Sequence, residues 1–256
     1  AQVRPETHCM TGVWNGTSPV PPVRLNALGG PLTVALAESL QIPVGRITWI
    51  RLHFTPNSYV LDNLGGQHPL RCSSCEATDN NLGRGFKLNR TFEVTTAGLA
   101  LLVDIDLLKS LHTDSNGYVL RPTARVENKA DTGTLAGQVQ GPIVSSQGGT
   151  LYTGATIETG CAVYVYAGHG ASPDDHYDGS SVIAAARVRY NETLGQYRYS
   201  VGALPGGSVA MPKPYTAALT CDLDDPLLEE TSAVVAFTGA QNADVVTGQT
   251  ATIVFG

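Results

Sequence analysis

Hydrophobic and polar residues alternate with a period of two along several stretches of this chain. The clearest stretch is GFKLNRTFEV at residues 85–94. Its apolar residues take even-numbered positions: Phe86, Leu88, Phe92 and Val94. Because successive side chains of a strand point to opposite faces, this period predicts a half-buried β-strand. Ala97-Gly98 predicts a turn into LALLVDI, an apolar stretch that we expect to be buried on both faces.

Further strand and turn signals lie on both sides of this stretch. Asn116-Gly117 is a strong turn signal that opens another strand, and a short helical turn is expected over residues 106–112. In RITWIRLHF the residues expected to face the core are Thr48, Ile50, Leu52 and Phe54. The composition changes near residue 141, where glycine, proline and serine indicate a linker. Beyond it, six or seven short strands predict a β-sandwich.

These patterns predict an all-β protein of two β-sandwich-like domains with at most one or two short helical turns. We place an N-terminal arm at residues 1–24, a β domain at 25–140 and a second β-sandwich at 141–256. The arm is proline-rich and has neither a helical nor a strand period. Such a segment needs a surface to hold it, on its own body or on another subunit.

Composition narrows the classes of function. Only 15% of the 256 residues are charged and the net charge is −6, which argues against nucleic-acid binding through a basic face. No apolar run reaches the roughly 18 residues that a membrane-spanning helix needs. The sequence begins Ala-Gln without methionine, as expected after removal of a signal peptide. We therefore expect an exported protein, extracellular or at the cell surface.

Five cysteines agree with export, because disulfides persist in oxidising compartments. Cys161 begins one strand and Cys221 ends another, and each lies in its strand's inward-facing set. We therefore expect these two cysteines to form a disulfide. The other three leave alternatives open: a Cys72–Cys75 bridge would leave Cys9 over, whereas a bridge from Cys9 to either of them would fix the arm to a domain.

Several sequence blocks occur in a defined order between about residues 25 and 139: IPVGRITWIRLHF, GFKLNRTFEV, LLVDIDLLKSLH, GYVLRPTARV and GTLAGQV. In these blocks the chain resembles the domain-of-unknown-function 4382 family of bacterial and archaeal exported proteins. The resemblance implies export and a β fold, and it implies no established activity.

Residues from about 135 to 256 are similar to carboxypeptidase-regulatory-like, transthyretin-type sandwiches. The cues are AARVRY, GQYRYSVGALPGG and the closing TGQTATIVF. Such domains are usually non-catalytic modules beside surface or adhesive domains.

The arm is the main departure from the first resemblance. That family opens with a strand before the position of Leu25, and here the proline-rich arm stands in its place. A sheet without its opening strand exposes an unpaired edge, which invites a strand from another chain. The arm residues that we expect to mediate assembly are Val13, Trp14, Val20 and Val23.

Candidate chemistry is sparse. Asp104 and Asp106 share one face of a strand, roughly 6–7 Å apart, a separation that suits glycoside hydrolysis. His68 with Cys72 and Cys75 offers zinc-ligand types, although disulfides compete. No cofactor is firmly implied. The best candidate is calcium, which prefers clustered carboxylates, at an acid-rich turn that contains Asp222, Asp224 and Asp225.

We therefore expect a non-enzymatic extracellular structural subunit. Its copies would form a homopolymer, a filament or a surface layer, by exchanging the arm or a terminal strand. The alternative is a monomeric cell-surface module for adhesion or for glycans, with an aromatic platform. That platform would be Trp49 with Tyr59, or Tyr164 with Tyr166. A secreted hydrolase built on the two aspartates ranks last.

Overall fold

The computed structural model describes most of the chain in segments: residues 2–5, 12–13, 33–36, 42–52, 54, 58–61, 65–73, 75, 85–140, 161–176, 181–191, 193–221 and 235–256. These segments contain eighteen strands, one four-residue helix and one 3-10 turn, which confirms the all-β prediction. The chain divides into two compact units: residues 1–25 with 34–128, and residues 26–33 with 129–256.

The first unit contains ten strands and one helix. The strands are β1 (Gln2–Pro5), β2 (Gly12–Val13), β3 (Gly45–Leu52), β4 (Tyr59–Leu61), β5 (Gln67–Arg71), β6 (Phe86–Val94), β7 (Leu101–Ile105), β8 (Leu111–Asp114), β9 (Gly117–Leu120) and β10 (Ala124–Asn128). Helix α1 (Leu107–Ser110) joins β7 to β8. One sheet has the order β2-β1-β3-β6, a second has the order β4-β5-β9-β8, and β10 pairs with β7.

The core of the first unit is divided among the described residues into two clusters. Six buried residues from β3, β6 and β10 form the larger one: Ile47, Ile50, Leu88, Phe92, Val94 and Val126. Cys72, Cys75 and Leu120 form the smaller one. The unit's hydrophobic burial is therefore spread over small patches.

Two expectations about this unit need correction. Both Ile47 and Ile50 are buried, although strict alternation placed them on opposite faces. The pairing register of β3 shifts near these residues, and such an irregularity changes which side chains face the core. Strand β7 is half-buried throughout and not buried on both faces, and within the described segments β10 is the strand that pairs with it.

The second unit is a β-sandwich. A 3-10 turn at Lys129–Asp131 precedes its eight strands. These are β11 (Thr132–Val139), β12 (Ala162–Ala167), β13 (Val182–Arg187), β14 (Arg189–Asn191), β15 (Gln196–Pro205), β16 (Lys213–Thr220), β17 (Phe237–Val245) and β18 (Thr250–Phe255). The two sheets have the orders β14-β15-β11-β18 and β13-β12-β16-β17. Within β11 the odd-numbered Leu135 and Val139 are buried, which shows the period of two directly.

A single core lies between the two sheets. Eighteen buried described residues contribute to it, among them Leu135, Val163, Val201 and Phe255. A disulfide between Cys161 and Cys221 belongs to the same core. Both cysteines follow the inward-facing positions of their strands, as their spacing in the sequence indicated.

Candidate functional site

The edge of strand β3 is the feature that departs most from an ordinary closed sheet. Strand β6 pairs with one side of β3, and the N-terminal strand β1 pairs with the other side in antiparallel register. The paired positions are Gln2 with Arg51, Val3 with Ile50 and Pro5 with Ile47. Strand β2 pairs in turn with the outer side of β1. The edge that the family resemblance left open is therefore filled, here by the arm of the same chain.

Strand β3 is anchored by its core face. Its residues Ile47 and Ile50 pack with Leu88, Phe92 and Val126. The side where β1 lies contributes main-chain groups, because a strand edge presents its N–H and C=O groups to whatever comes beside it. The join between β1 and β3 is a pairing of main-chain groups along this edge.

The pairing of β1 with β3 is also short and irregular. Strand β1 has four residues and ends in Pro5, which has no N–H to donate to a ladder. Its register against β3 shifts between Val3 and Pro5. A short, irregular strand of this kind makes few ladder hydrogen bonds, so its pairing is expected to be among the less stable parts of the fold.

The predicted arm residues are only partly within the described chain. Val13 lies in β2, paired opposite Gln2 of β1. Trp14, Val20, Val23 and Cys9 lie outside the described residues.

The predicted aromatic platforms do not match the structure well. Tyr164 and Tyr166 are buried in the second unit and cannot form a binding face. Trp49 is half-buried, and the guanidinium carbon of Arg51 and the Nζ of Lys87 lie 5.0 Å and 5.2 Å from its ring. Cation–π contacts of this kind stabilise the two positive charges, and they occupy space that a stacking sugar would need.

The two candidate catalytic aspartates have structural roles. Asp104 accepts hydrogen bonds from Nε and Nη2 of Arg125, at 2.9 and 2.7 Å. Asp106 caps helix α1, because its carboxylate accepts from the backbone N–H groups of Leu108 and Lys109. Each carboxylate is thus bound by groups of the protein itself, Asp104 by Arg125 and Asp106 by the start of helix α1.

The cysteine pair near His68 forms a disulfide, Cys72–Cys75, so neither sulfur is available as a thiolate ligand for zinc. Among the described residues, no three or more His, Cys, Asp or Glu side chains are grouped so as to hold a metal ion. The calcium candidates Asp222, Asp224 and Asp225 lie outside the described residues.

Comparison with known families gives one match. A family model described as "Domain of unknown function (DUF4382)" matches residues 11–122. The first unit is similar to this family. The match begins at residue 11, so residues 11–24, which precede Leu25, belong to the matched region. Strand β1, however, precedes the matched region.

No curated protein and no solved structure matches the chain. For the second unit the structure supports a β-sandwich. In the part of the chain that is described, no helix has the length and hydrophobicity needed to cross a membrane.

Proposed function

We propose that this protein is a non-enzymatic extracellular structural subunit whose copies assemble by exchanging the N-terminal arm. In the assembly, strand β1 of one copy pairs with the β3 edge of the next. The observation that carries the proposal is the pairing of β1 with β3, which completes a sheet with a segment distant in sequence.

Exchange requires no new contacts. The backbone hydrogen bonds between β1 and β3 are the same whether the two strands belong to one chain or to two, as in domain swapping. Residues 6–44 connect the strands, and 39 residues of extended chain reach up to about 130 Å. Chain length therefore does not restrict the arm to its own body. Whether β1 pairs within its own chain or with a neighbour then depends on the protein concentration. Pairing within one chain corresponds to a finite effective concentration, and pairing between chains is favoured when the protein concentration exceeds it.

The symmetry of the exchange predicts its product. A donor strand and an acceptor edge are different surfaces of the same subunit, so the contact is head-to-tail. Head-to-tail contacts that do not close into a ring give open filaments. The proposed homopolymer is therefore a filament or a surface layer built from such contacts.

Other features support the cell-surface setting of the proposal. Both units contain a disulfide, and disulfides persist in oxidising compartments. We also propose that the second unit is similar to carboxypeptidase-regulatory-like sandwiches. In the assembly it would be a rigid, non-catalytic module between one β1–β3 contact and the next. The proposal includes export of the chain through a cleaved signal peptide.

The proposal is tested by deleting residues 1–24 and comparing the assemblies by electron microscopy and analytical ultracentrifugation. We expect the full chain to form filaments and the truncated chain to remain monomeric. A synthetic peptide of residues 1–13 should occupy the open β3 edge of the truncated chain without extending the polymer. Unchanged filaments after truncation contradict arm exchange.

A point variant in β1 distinguishes the loss of the β1–β3 pairing from unfolding of the whole unit. Val3 lies in β1 opposite Ile50, so Val3→Pro removes a backbone donor from the short strand. Val3→Thr is the matched control, because threonine also favours strands. We expect Val3→Pro to reduce assembly and Val3→Thr to retain it. A full chain that is monomeric at every concentration and binds glycans would instead support the surface binding module.

A further inference from the structure

Three arginines gather where the chain passes from one sheet of the second unit to the other. Strand β13 ends at Arg187, the buried Val188 follows, and β14 begins at Arg189. Arg198 of β15 lies directly opposite Arg189 in the antiparallel pair. We call Arg187, Arg189 and Arg198 the arginine cluster.

The charges of this cluster affect one another. Desolvation lowers the pKa of Arg187, and the positive charge of Arg189 lowers that pKa further, against an opposing effect of Tyr164. Like charges directly opposite each other on neighbouring strands destabilise a sheet. The Arg189–Arg198 pair is therefore a local cost to the fold unless an anion lies beside it.

Arginines of the first unit differ from the arginine cluster in that they form ion pairs. Four of them form ion pairs with carboxylates: Arg46 with Glu93, Arg71 with Asp114, Arg90 with Glu127 and Arg125 with Asp104. No carboxylate of the described residues forms an ion pair with the arginine cluster. The Arg198 side chain donates from Nη1 to Gln196 Oε1 at 3.5 Å, which is a long contact.

Other hydrogen-bonding groups extend the same face of the sheet. Tyr199 and Val201 point into the sandwich core, so Arg198 and Ser200 point to the opposite face of β15. Gln138 of β11 is the strand neighbour of Arg198. The hydroxyl oxygen of Ser200 is buried, so it is not part of the accessible surface. The guanidinium of Arg198 and the amide of Gln138 thus lie in neighbouring positions on one face.

We propose that the arginine cluster binds the carboxylate or sulfate groups of an acidic polysaccharide. A guanidinium donates two parallel hydrogen bonds to such a group, which makes arginine the preferred side chain for planar anions. The three guanidiniums come from three strands, so they match an anion that repeats along a polymer better than one small ion. The proposal does not depend on arm exchange.

The overall charge of the chain favours a polysaccharide over a nucleic acid. A net charge of −6 opposes long-range attraction of any polyanion, so binding must come from local contacts. Nucleic acids rely on neutralising many closely spaced phosphates, and three arginines supply little of that. A polyuronate, with one carboxylate per sugar, needs fewer contacts.

Calorimetric titration of the full chain with polygalacturonate tests the proposal. We expect saturable binding that Arg198→Gln and Arg189→Gln each weaken about tenfold, the effect of losing one charge-assisted contact. Lys213→Gln is the matched control, because it removes one exposed positive charge from the opposite end of the same sandwich. It should bind within twofold of the unaltered chain. Thermal unfolding without ligand should show that Arg198→Gln is no less stable, since a like-charge pair has been removed.

Four results would overturn the proposal. The first is no binding of polygalacturonate by the unaltered chain. The second is equal stabilisation by inorganic sulfate at the same concentration of charge, which would show a simple anion site. The third is equally tight binding of poly-glutamate, which would indicate an acidic protein segment as the partner. The fourth is an equal loss of affinity in Lys213→Gln, which would show that binding follows total charge.

Discussion

The two units of this protein reach a folded β structure in different ways. In the second unit, eighteen buried residues form one core between two four-stranded sheets, and a disulfide lies within it. In the described part of the first unit, buried residues form clusters of six and three, and the smaller includes the Cys72–Cys75 disulfide. Among the described residues, the second unit thus has one continuous core, whereas the first unit has two smaller clusters.

Glycines within the paired strands of the second unit mark where its strands pack most tightly. A Cβ on Gly133 or Gly137 would collide with backbone atoms of the β17–β18 region. At the turn glycines Gly98 of the first unit and Gly168 of the second, a Cβ would meet nothing within 4 Å. A substitution in a paired strand of the second unit should therefore cost far more than one at a turn.

The largest expected effect comes from Gly137→Ala. The added Cβ would lie 1.6 Å from the carbonyl oxygen of Ile253 and 3.0 Å from the hydroxyl of Tyr199, so strands β11 and β18 must separate. We expect a loss of about 4–5 kcal/mol in the free energy of unfolding, the range of severe core disruption. Gly98→Ala in the first unit should lose only about 1 kcal/mol, the cost of a left-handed backbone for alanine. Urea unfolding measures both, and equal losses contradict the contrast in packing.

Removing the disulfides one at a time is expected to give the next effect. Cys161–Cys221 closes a chain separation of 60 residues, and Cys72–Cys75 closes a separation of 3. Loop-closure entropy predicts losses of about 4 kcal/mol for the double alanine variant of the first pair and about 2 kcal/mol for the second. Thermal unfolding of each variant measures the loss. A larger loss at Cys72–Cys75 would show that the first unit depends on this closure more than chain entropy predicts.

Ala203 is the non-glycine residue with a left-handed backbone among the described residues, with φ of 51°. It lies in β15, next to a register shift between β11 and β15. Ala203→Val should lose about 2–3 kcal/mol, because a β-branched side chain tolerates this conformation poorly. Ala203→Gly should change stability by less than about 1 kcal/mol, since relief of strain is offset by a more flexible unfolded chain. Equal stabilities of the two variants would show that the second unit imposes no strain there.

The smallest effect concerns an exposed ion pair of the first unit. The guanidinium of Arg71 beside Asp114 lowers the pKa of that carboxyl, and the backbone N–H of Asn116 lowers it further. A lowered pKa means that the stabilising contribution is present above about pH 4 and is lost as pH falls through the folded-state value. Asp114→Asn should therefore be slightly less stable than the unaltered chain at pH 7, and the difference should shrink as pH falls below about 4. A difference that does not change as pH falls contradicts this origin.

The sequence predicted part of the local structure, because local structure follows in part from local pattern. The period of two identified β6, and Asp106 was assigned correctly to the start of a short helical turn. Strict alternation failed in β3, where Ile47 and Ile50 are both buried. Register irregularities arise from how neighbouring strands align, and a single strand's sequence does not contain that information.

The candidate site was harder to predict for the same reason. The family resemblance implied an open edge in the first sheet, yet the sequence did not show which segment would pair with β3. Pairing of Gln2–Pro5 with Gly45–Leu52 is a contact between distant parts of the chain. The arginine cluster was missed altogether, because Arg189 and Arg198 become neighbours only through the β14–β15 register. A scan for like charges on both sides of a predicted hairpin would have found it.

Cysteine cross-linking between differently labelled chains tests the central claim most directly. In a Cys9→Ser background, one chain carries Gln2→Cys and the other carries Arg51→Cys, two positions that face each other in the β1–β3 register. Val3→Cys with Arg51→Cys is the control, because neighbouring strand residues point to opposite faces. Arm exchange predicts that assembled mixtures, once oxidised, contain a disulfide-linked pair of different chains for Gln2→Cys and none for Val3→Cys. Disulfides that form only within a doubly substituted chain, in material that is otherwise assembled, would contradict it.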